Sequence, residues 1–126
     1  MLAEESVKKK IVLIDDDITS LDIIAFLFEE NGFEIQRFAN GNKAVEFLVG
    51  NKTDIVLVDL MMPDVNGIDT TKKIRSNGFK GPIIAFTALD DLDVHKEAKQ
   101  AGCNEVVTKP YQGKKLLELI NQWIEN

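Results

Sequence analysis

Short apolar runs alternate with amphipathic stretches five times along the chain. The apolar runs cover residues 11–14, 33–38, 55–58, 82–86 and 105–107. Three of them are nearly continuous in Ile, Val and Leu, which is typical of strands that are covered on both faces of a sheet. Strands that alternate with helices in this way predict repeated βα units and a parallel sheet.

The stretches between the apolar runs predict five helices with recognisable ends. Thr19 or Ser20 is placed to cap the first helix, and Asn40 is placed to cap the second. The third and fourth are predicted over residues 68–77 and 90–101, and a glycine follows each. The fifth carries an apolar stripe of Leu116, Leu117, Ile120 and Ile124. Right-handed crossovers then favour a doubly wound α/β fold with parallel strand order 2-1-3-4-5 and helices on both faces.

Length, net charge and cysteine content exclude several classes of protein. The 126 residues are enough for one domain, which we predict over residues 9–126 behind a short N-terminal arm, residues 1–8. A net charge of −6 argues against direct nucleic-acid binding and against binding to anionic membranes. Cys103 is the single cysteine, so an internal disulfide is excluded. With no apolar run long enough for a membrane helix and no signal-peptide pattern, these features predict a cytoplasmic location.

Polar side chains follow four of the predicted strands at the point where each strand ends. They are Asp15, Asp16 and Asp17 after the first strand, Asp59 after the third, Thr87 after the fourth and Lys109 after the fifth. Any one of them is explained by a strand that emerges into solvent. Together they favour a site, because doubly wound sheets place ligands beyond the carboxyl ends of the strands where the winding direction reverses.

The charges of this group predict a metal. Carboxylates of Asp15, Asp16 and Asp59 crowded within about 5 Å would repel by roughly 3 kcal/mol per pair. Lys109 offsets one charge and leaves about −2, which one divalent cation would balance. An all-oxygen ligand set with room for water suits Mg²⁺. His95, the only histidine, lies in a predicted helix far along the chain from the acids, which argues against zinc.

A carboxylate beside Mg²⁺, a hydroxyl and an ammonium group is suited to accept a phosphoryl group. Asp59 is the best candidate for the nucleophile, because it follows the central strand. Lys109 would offset the added charge, and the Thr87 hydroxyl would donate to a phosphoryl oxygen.

Four segments of the chain resemble the receiver domain of two-component response regulators. They are IVLIDDD at 11–17, DIVLVDLMMPDVNG at 54–67, PIIAFTA at 82–88 and TKP at 108–110. The resemblance implies a flavodoxin-like fold and names Asp59 as the phosphoacceptor. It implies that Asp16 and Asp59 bind Mg²⁺ through their side chains, that Asp15 holds the ion mainly through water, and that Met61 adds its backbone carbonyl.

The resemblance also implies roles for the last two strand ends. Thr87 matches the switch hydroxyl of the family, and Lys109 matches its phosphate-pairing lysine. The peptide bond between Lys109 and Pro110 matches one that is typically cis. Such a receiver takes its phosphoryl group from the phosphohistidine of a histidine kinase or phosphotransfer protein, and catalyses its own phosphotransfer and autodephosphorylation rather than turning over a substrate. Its output is a changed surface on the fourth helix, fifth strand and fifth helix, which binds a downstream protein or output domain.

One position departs from the family pattern. Receivers commonly carry Tyr or Phe three residues before the lysine, and this chain has Val106 there. A valine has no ring to relocate when the threonine moves, so phosphorylation is expected to survive while the usual aromatic switch is absent. We also hypothesise that Met61 and Leu89, each two residues beyond a site residue, restrict the attacking water and prolong the phosphorylated state.

Two alternatives remain open at this stage. Asp15-x-Asp17-x-Thr19 resembles the nucleophile motif of haloacid-dehalogenase-type phosphohydrolases, with Asp15 as nucleophile. Those enzymes need a further acidic pair after their lysine, where this chain offers only Glu118 and Glu125 in a predicted helix. The other alternative is a receiver-like binding module that is never phosphorylated.

Overall fold

A computed structural model describes residues 8–60, 66–88, 91–109 and 112–125. Its five strands form one parallel sheet in the order β2-β1-β3-β4-β5, so the predicted topology is confirmed. The strands are β1 (Lys10–Ile14), β2 (Glu34–Phe38), β3 (Ile55–Asp59), β4 (Ile83–Thr87) and β5 (Glu105–Thr108). Every residue of β3 and β4 is buried, whereas the edge strand β2 is half-exposed, as the apolar content of the runs predicts.

Five helices connect and cover the strands. They are α1 (Ile18–Glu30), α2 (Gly41–Gly50), α3 (Gly67–Ser76), α4 (Leu92–Ala101) and α5 (Gly113–Glu125). The predicted cap of α2 is confirmed, because the Asn40 side chain accepts hydrogen bonds from the amides of residues 42 and 43. The predicted cap of α1 at Thr19 or Ser20 is wrong. The helix begins earlier, and the Thr19 amide donates to Asp17 Oδ1 over 3.1 Å, so Asp17 does the capping.

Each face of the sheet has its own core. On one face, α1 and α5 pack Phe28 and Ile120 against β1, β3 and β4. On the other face, α2, α3 and α4 contribute the buried side chains Ala44, Ile74 and Ala98. Burying both faces of a parallel sheet fixes the strands in register, and so it also fixes where their carboxyl ends lie.

The register brings the polar strand ends together. Ile14 pairs with Val58, so Asp15 and Asp59 are the next residues of two adjacent strands. The winding direction reverses between these strands, because β2 lies on the far side of β1. Among the described residues, none of the helices combines the length and apolarity needed to cross a membrane.

Candidate functional site

Three carboxylates meet at the carboxyl edge of the sheet. Asp15, Asp16 and Asp59 each present an oxygen, and these oxygens lie within 4.8 Å of one another. Asp15 is 0% exposed and Asp59 is 5% exposed, while Asp16 is half-buried. Charged side chains are rarely buried to this degree without compensation.

Asp17, the residue before α1, orients Asp15. The Asp17 amide donates to Asp15 Oδ1 over 2.9 Å, and the Asp17 side chain in turn caps the helix. The Asp15 amide donates to the Phe38 carbonyl over 3.0 Å, which continues the pairing of β1 with β2. Asp15 is therefore fixed at both its backbone and one side-chain oxygen. The capping role of Asp17 is not among the sequence predictions, although an aspartate two residues before a helical threonine is a recognisable capping signal.

Lys109 brings a positive charge to the cluster. Its Nζ lies 3.5 Å from Asp59 Oδ2 and 3.6 Å from Asp15 Oδ2, and its side chain is 25% exposed. The Lys109 amide donates to the Thr87 carbonyl over 2.7 Å, which fixes the lysine backbone at the end of β4. Among the described residues, Lys109 thus pairs with two of the three clustered carboxylates, those of Asp15 and Asp59.

The site is short of positive charge. Burial raises the pKa of Asp15 from 3.8 to about 6, and the nearby Asp59 charge acts in the same direction. The Asp17 amide and Lys109 oppose the rise without cancelling it. Among the described residues, Asp15 Oδ2 accepts no hydrogen bond. A divalent cation would supply the missing charge, and three carboxylates on one side suit the partly hydrated octahedral shell of Mg²⁺.

Thr87 occupies the last position of β4 and is wholly buried. It pairs in register with Thr108, so the Thr87 backbone lies beside the residue that precedes Lys109. The Leu60 amide donates to the Phe86 carbonyl over 2.8 Å, which ties the chain after Asp59 to the end of β4. Hydroxyl, ammonium and carboxylates therefore stand on neighbouring strand ends.

This chain is similar to proteins of known family and structure. A family model described as response regulator receiver domain matches residues 11–121. The chain belongs to the response regulator receiver domain family. The receiver domain of the Francisella response regulator 1452 is 29% identical, with a TM-score of 0.87 over 94% of this chain and 98% of that one. The receiver domain of a sensor histidine kinase from Pseudomonas aeruginosa PAO1 is 28% identical, with a TM-score of 0.87 over 95% of this chain and 100% of that one. That structure holds a magnesium ion coordinated in its active-site cleft.

The fold extends to more distant receivers. A CheY-like receiver domain protein from Methanospirillum hungatei JF-1 has a TM-score of 0.90 at 24% identity, over 94% of this chain and 95% of that one. Receiver domains of response regulators in general partner with histidine kinases and output domains. The boundaries of the arm at 1–8 and of the domain at 9–126 stay predictions.

Some predicted features of this receiver domain lie outside the described residues. They are the Met61 carbonyl, Leu89 and the peptide bond between Lys109 and Pro110. Val106 is among the described residues. It lies in β5, pairs with Ala85 of β4 and packs, half-buried, against the core beneath α2, α3 and α4. A valine at this place contributes to the packing of the receiver core.

Gly67 is a site neighbour that the sequence predictions include only as the last residue of the receiver-like segment at 54–67. A Cβ built on Gly67 would lie 2.3 Å from the Asp59 carbonyl oxygen and 2.7 Å from Leu60 Cα. Any side chain here would push the Asp59 backbone away. The contact joins residues from two elements, so the sequence alone offers no local signal for it.

Proposed function

We propose that this receiver domain accepts a phosphoryl group onto Asp59 from the phosphohistidine of a histidine kinase or phosphotransfer protein. The observation that carries the proposal is the buried Asp59 carboxylate, held 3.5 Å from Lys109 inside a cluster with too little positive charge. A phosphoryl acceptor needs such a carboxylate, positioned and kept from bulk water, more than it needs acid-base groups.

The transfer is an in-line displacement at phosphorus. An oxygen of Asp59 attacks, the phosphorus–nitrogen bond breaks, and its electron pair leaves with the imidazole of the donor histidine. The product is an acyl phosphate on Asp59, and water later hydrolyses it. Lys109 pairs with a phosphoryl oxygen, and the Thr87 hydroxyl donates to another. Autodephosphorylation follows from the same site, so the protein is a self-catalysing phosphoacceptor rather than a turnover enzyme.

The acidic cluster is proposed to hold Mg²⁺. Asp16 and Asp59 would bind the ion through their carboxylates, Asp15 mainly through water, and Met61 through its backbone carbonyl. Bound there, Mg²⁺ would offset the negative charge that accumulates on the phosphoryl oxygens. The fit rests on the all-oxygen donor set and on the Asp15 oxygen that lacks a hydrogen-bond partner among the described residues.

The phosphoryl group changes the protein by making different contacts in two states of the domain. Thr87 couples phosphorylation to this change, since its hydroxyl moves toward the phosphate. Val106 has no aromatic ring, so the ring rotation common in receivers does not take part. The altered surface is the face made by α4, β5 and α5, which binds a downstream protein or output domain. These phosphodonors imply a cytoplasmic location.

We further propose that Met61 and Leu89 lengthen the life of the acyl phosphate by restricting the attacking water. Loss of phosphate within seconds from the isolated phosphoprotein in Mg²⁺ would contradict this point alone.

Replacing the nucleophile tests the proposal. Wild-type protein treated with acetyl phosphate and Mg²⁺ is expected to gain one phosphoryl group by intact mass, and Asp59→Asn is expected to gain none. Asp69→Asn is the matched control, because Asp69 is an exposed aspartate of α3. Equal labelling of Asp59→Asn would refute the assignment. An unlabelled wild type would favour the non-phosphorylated module, and hydrolysis of a phosphate ester that requires Asp15 but not Asp59 would favour the phosphohydrolase.

A further inference from the structure

The first residue of α3 packs directly against the backbone of Asp59. The Gly67 amide donates to the Leu60 carbonyl over 3.1 Å, and the space where Gly67 would carry a Cβ is filled by the Asp59 carbonyl. Side-chain packing cannot absorb a shift of Gly67, because backbone meets backbone here. Whatever fixes the carbonyl of Gly67 therefore also restrains the peptide that follows Asp59.

The Thr71 side chain fixes that carbonyl. Its Oγ1 donates to the Gly67 carbonyl over 2.8 Å, and it lies 3.6 Å from Cys103 Sγ. A threonine hydroxyl has one hydrogen to give, so with that hydrogen on Gly67 it accepts from the thiol. Burial raises the pKa of Cys103, which keeps the thiol protonated as the donor.

Cys103 is held by the turn between α4 and β5. Its amide donates to the Ala98 carbonyl over 3.0 Å, and its side chain is buried in the core beneath α4. The line of polar contacts thus starts in this turn, passes through Thr71 and ends at Gly67 beside Asp59. Threonines in helices often bond the carbonyl four residues back. Here that carbonyl belongs to the residue pressed against Asp59, and the hydroxyl has a second partner from another element.

We propose that Thr71 is a positioning residue for Asp59, acting through Gly67 and anchored by Cys103. The inference rests on the proposed function, because it concerns the placement of the carboxylate that accepts the phosphoryl group. It also concerns Mg²⁺, since Asp59 is one of the two proposed side-chain ligands.

Thr70 is an internal control for Thr71. Both threonines are 0% exposed and both lie on α3. Thr70 Oγ1 forms no hydrogen bond with any described residue, and it faces the backbone of Gly41 at the start of α2. Thr70→Val and Thr71→Val therefore make the same chemical change at adjacent buried positions. Only Thr71→Val removes a hydroxyl that is connected to the site.

The experiment compares wild type, Thr70→Val, Thr71→Val and Thr71→Ser in three measurements. These are Mg²⁺ affinity by calorimetry, the rate of labelling by acetyl phosphate, and the NMR shifts of the Asp59 and Leu60 amides. Thr71→Val removes the hydrogen bond that helps to position Asp59. We therefore expect it to weaken Mg²⁺ binding and to slow labelling by about 3- to 10-fold, the fold-change that corresponds to one hydrogen bond. Thr70→Val is expected to stay within about 2-fold of wild type, because its hydroxyl makes no hydrogen bond to another described residue. Thr71→Ser keeps the hydroxyl and is expected to restore the wild-type values.

The same set distinguishes failure of this inference from failure of the proposed function. If Thr71→Val matches Thr70→Val in Mg²⁺ affinity and in the two amide shifts, Thr71 is only a structural residue and the inference is wrong. If wild type takes no label, the proposed function fails, and the amide shifts still decide the role of Thr71. Should Thr71→Val not fold, Cys103→Ala replaces it. Unchanged Mg²⁺ affinity and amide shifts in Cys103→Ala would overturn the inference.

Discussion

Two charged centres stand at opposite ends of the strands, and they are compensated in opposite ways. At the amino end, the Arg75 guanidinium of α3 is surrounded by neutral acceptors from the connections that lead into β4 and β5. It donates to the carbonyls of Phe79, Gly81 and Gly102 and to Asn104 Oδ1, over 2.7 to 3.1 Å. At the carboxyl end, three carboxylates cluster, and Lys109 pairs with two of them, Asp15 and Asp59.

The difference separates a charge that the chain itself compensates from charges that the described residues leave poorly compensated. Every N–H direction of the Arg75 fork has an acceptor within the chain, so its charge is balanced by dipoles and needs no outside group. The Asp15 carboxylate has an oxygen without a hydrogen-bond partner among the described residues, and its pKa is raised. Folding alone disfavours that arrangement, and the proposed Mg²⁺ would offset its excess negative charge.

The largest change in stability is expected when the Arg75 guanidinium is removed. Arg75→Ala leaves several carbonyls without their donor, so we expect the free energy of unfolding to fall by about 2 to 4 kcal/mol. Chemical denaturation measures it. Arg37→Ala is the control, because its ion pair with Asp22 joins side chains that are 50% and 64% exposed and is worth about 1 kcal/mol or less. Equal losses in the two variants would show that Arg75 does not organise the amino end.

At the carboxyl end, a substitution is expected to change the stability by a smaller amount and in the opposite direction. Asp15→Asn keeps the oxygen that accepts the Asp17 amide and removes a poorly compensated charge. Without Mg²⁺ at pH 7, we expect the variant to be more stable than wild type by about 1 to 3 kcal/mol. Thermal melting in EDTA measures this gain, and added Mg²⁺ should stabilise wild type more than the variant. Destabilisation in EDTA would mean that the Asp15 charge supports the fold.

The contribution of Asp15 to stability should depend on pH, and this change in stability should be no larger than that caused by Asp15→Asn. The folded protein holds the Asp15 proton more tightly than the unfolded chain does, because the pKa is raised from 3.8 to about 6. This contribution to stability is fully present below pH 3.8 and is lost as pH rises to about 6. Measured without Mg²⁺, the stability of wild type relative to Asp15→Asn should therefore decrease as the pH rises from 3.8 to about 6. A difference that is flat with pH would contradict the raised pKa.

The sequence predicts the acidic end much better than the amino end. Asp15, Asp59, Thr87 and Lys109 each directly follow an apolar run or lie one residue beyond it, so local pattern and strand order are enough to bring them together. Among the described residues, four of the five hydrogen bonds from Arg75 go to backbone carbonyls, which any residue type can supply. Only the fifth reaches a side chain, Asn104, which is distant in the sequence. The sequence therefore gives little sign of these partners.

Neighbouring threonines show the same limit at finer scale. Thr70 and Thr71 read alike in a polar helix, yet one hydroxyl reaches Gly67 and Cys103 and the other has no hydrogen-bond partner among the described residues. The wrong cap for α1 has a related cause. Asp17 stands in a run of three acidic residues, and this run obscures the capping signal that its position before the helix carries.

The backbone contact between Gly67 and Asp59 has a consequence for how this domain would evolve. In a randomised library selected only for folding, residues 70 and 71 should both drift toward Val and other apolar side chains. A second round selected for Mg²⁺-dependent phosphorylation should let residue 70 keep drifting, recover a hydroxyl at residue 71, and return only glycine at residue 67. The substitutions accepted at these three positions of α3 would then distinguish selection for folding from selection for phosphorylation.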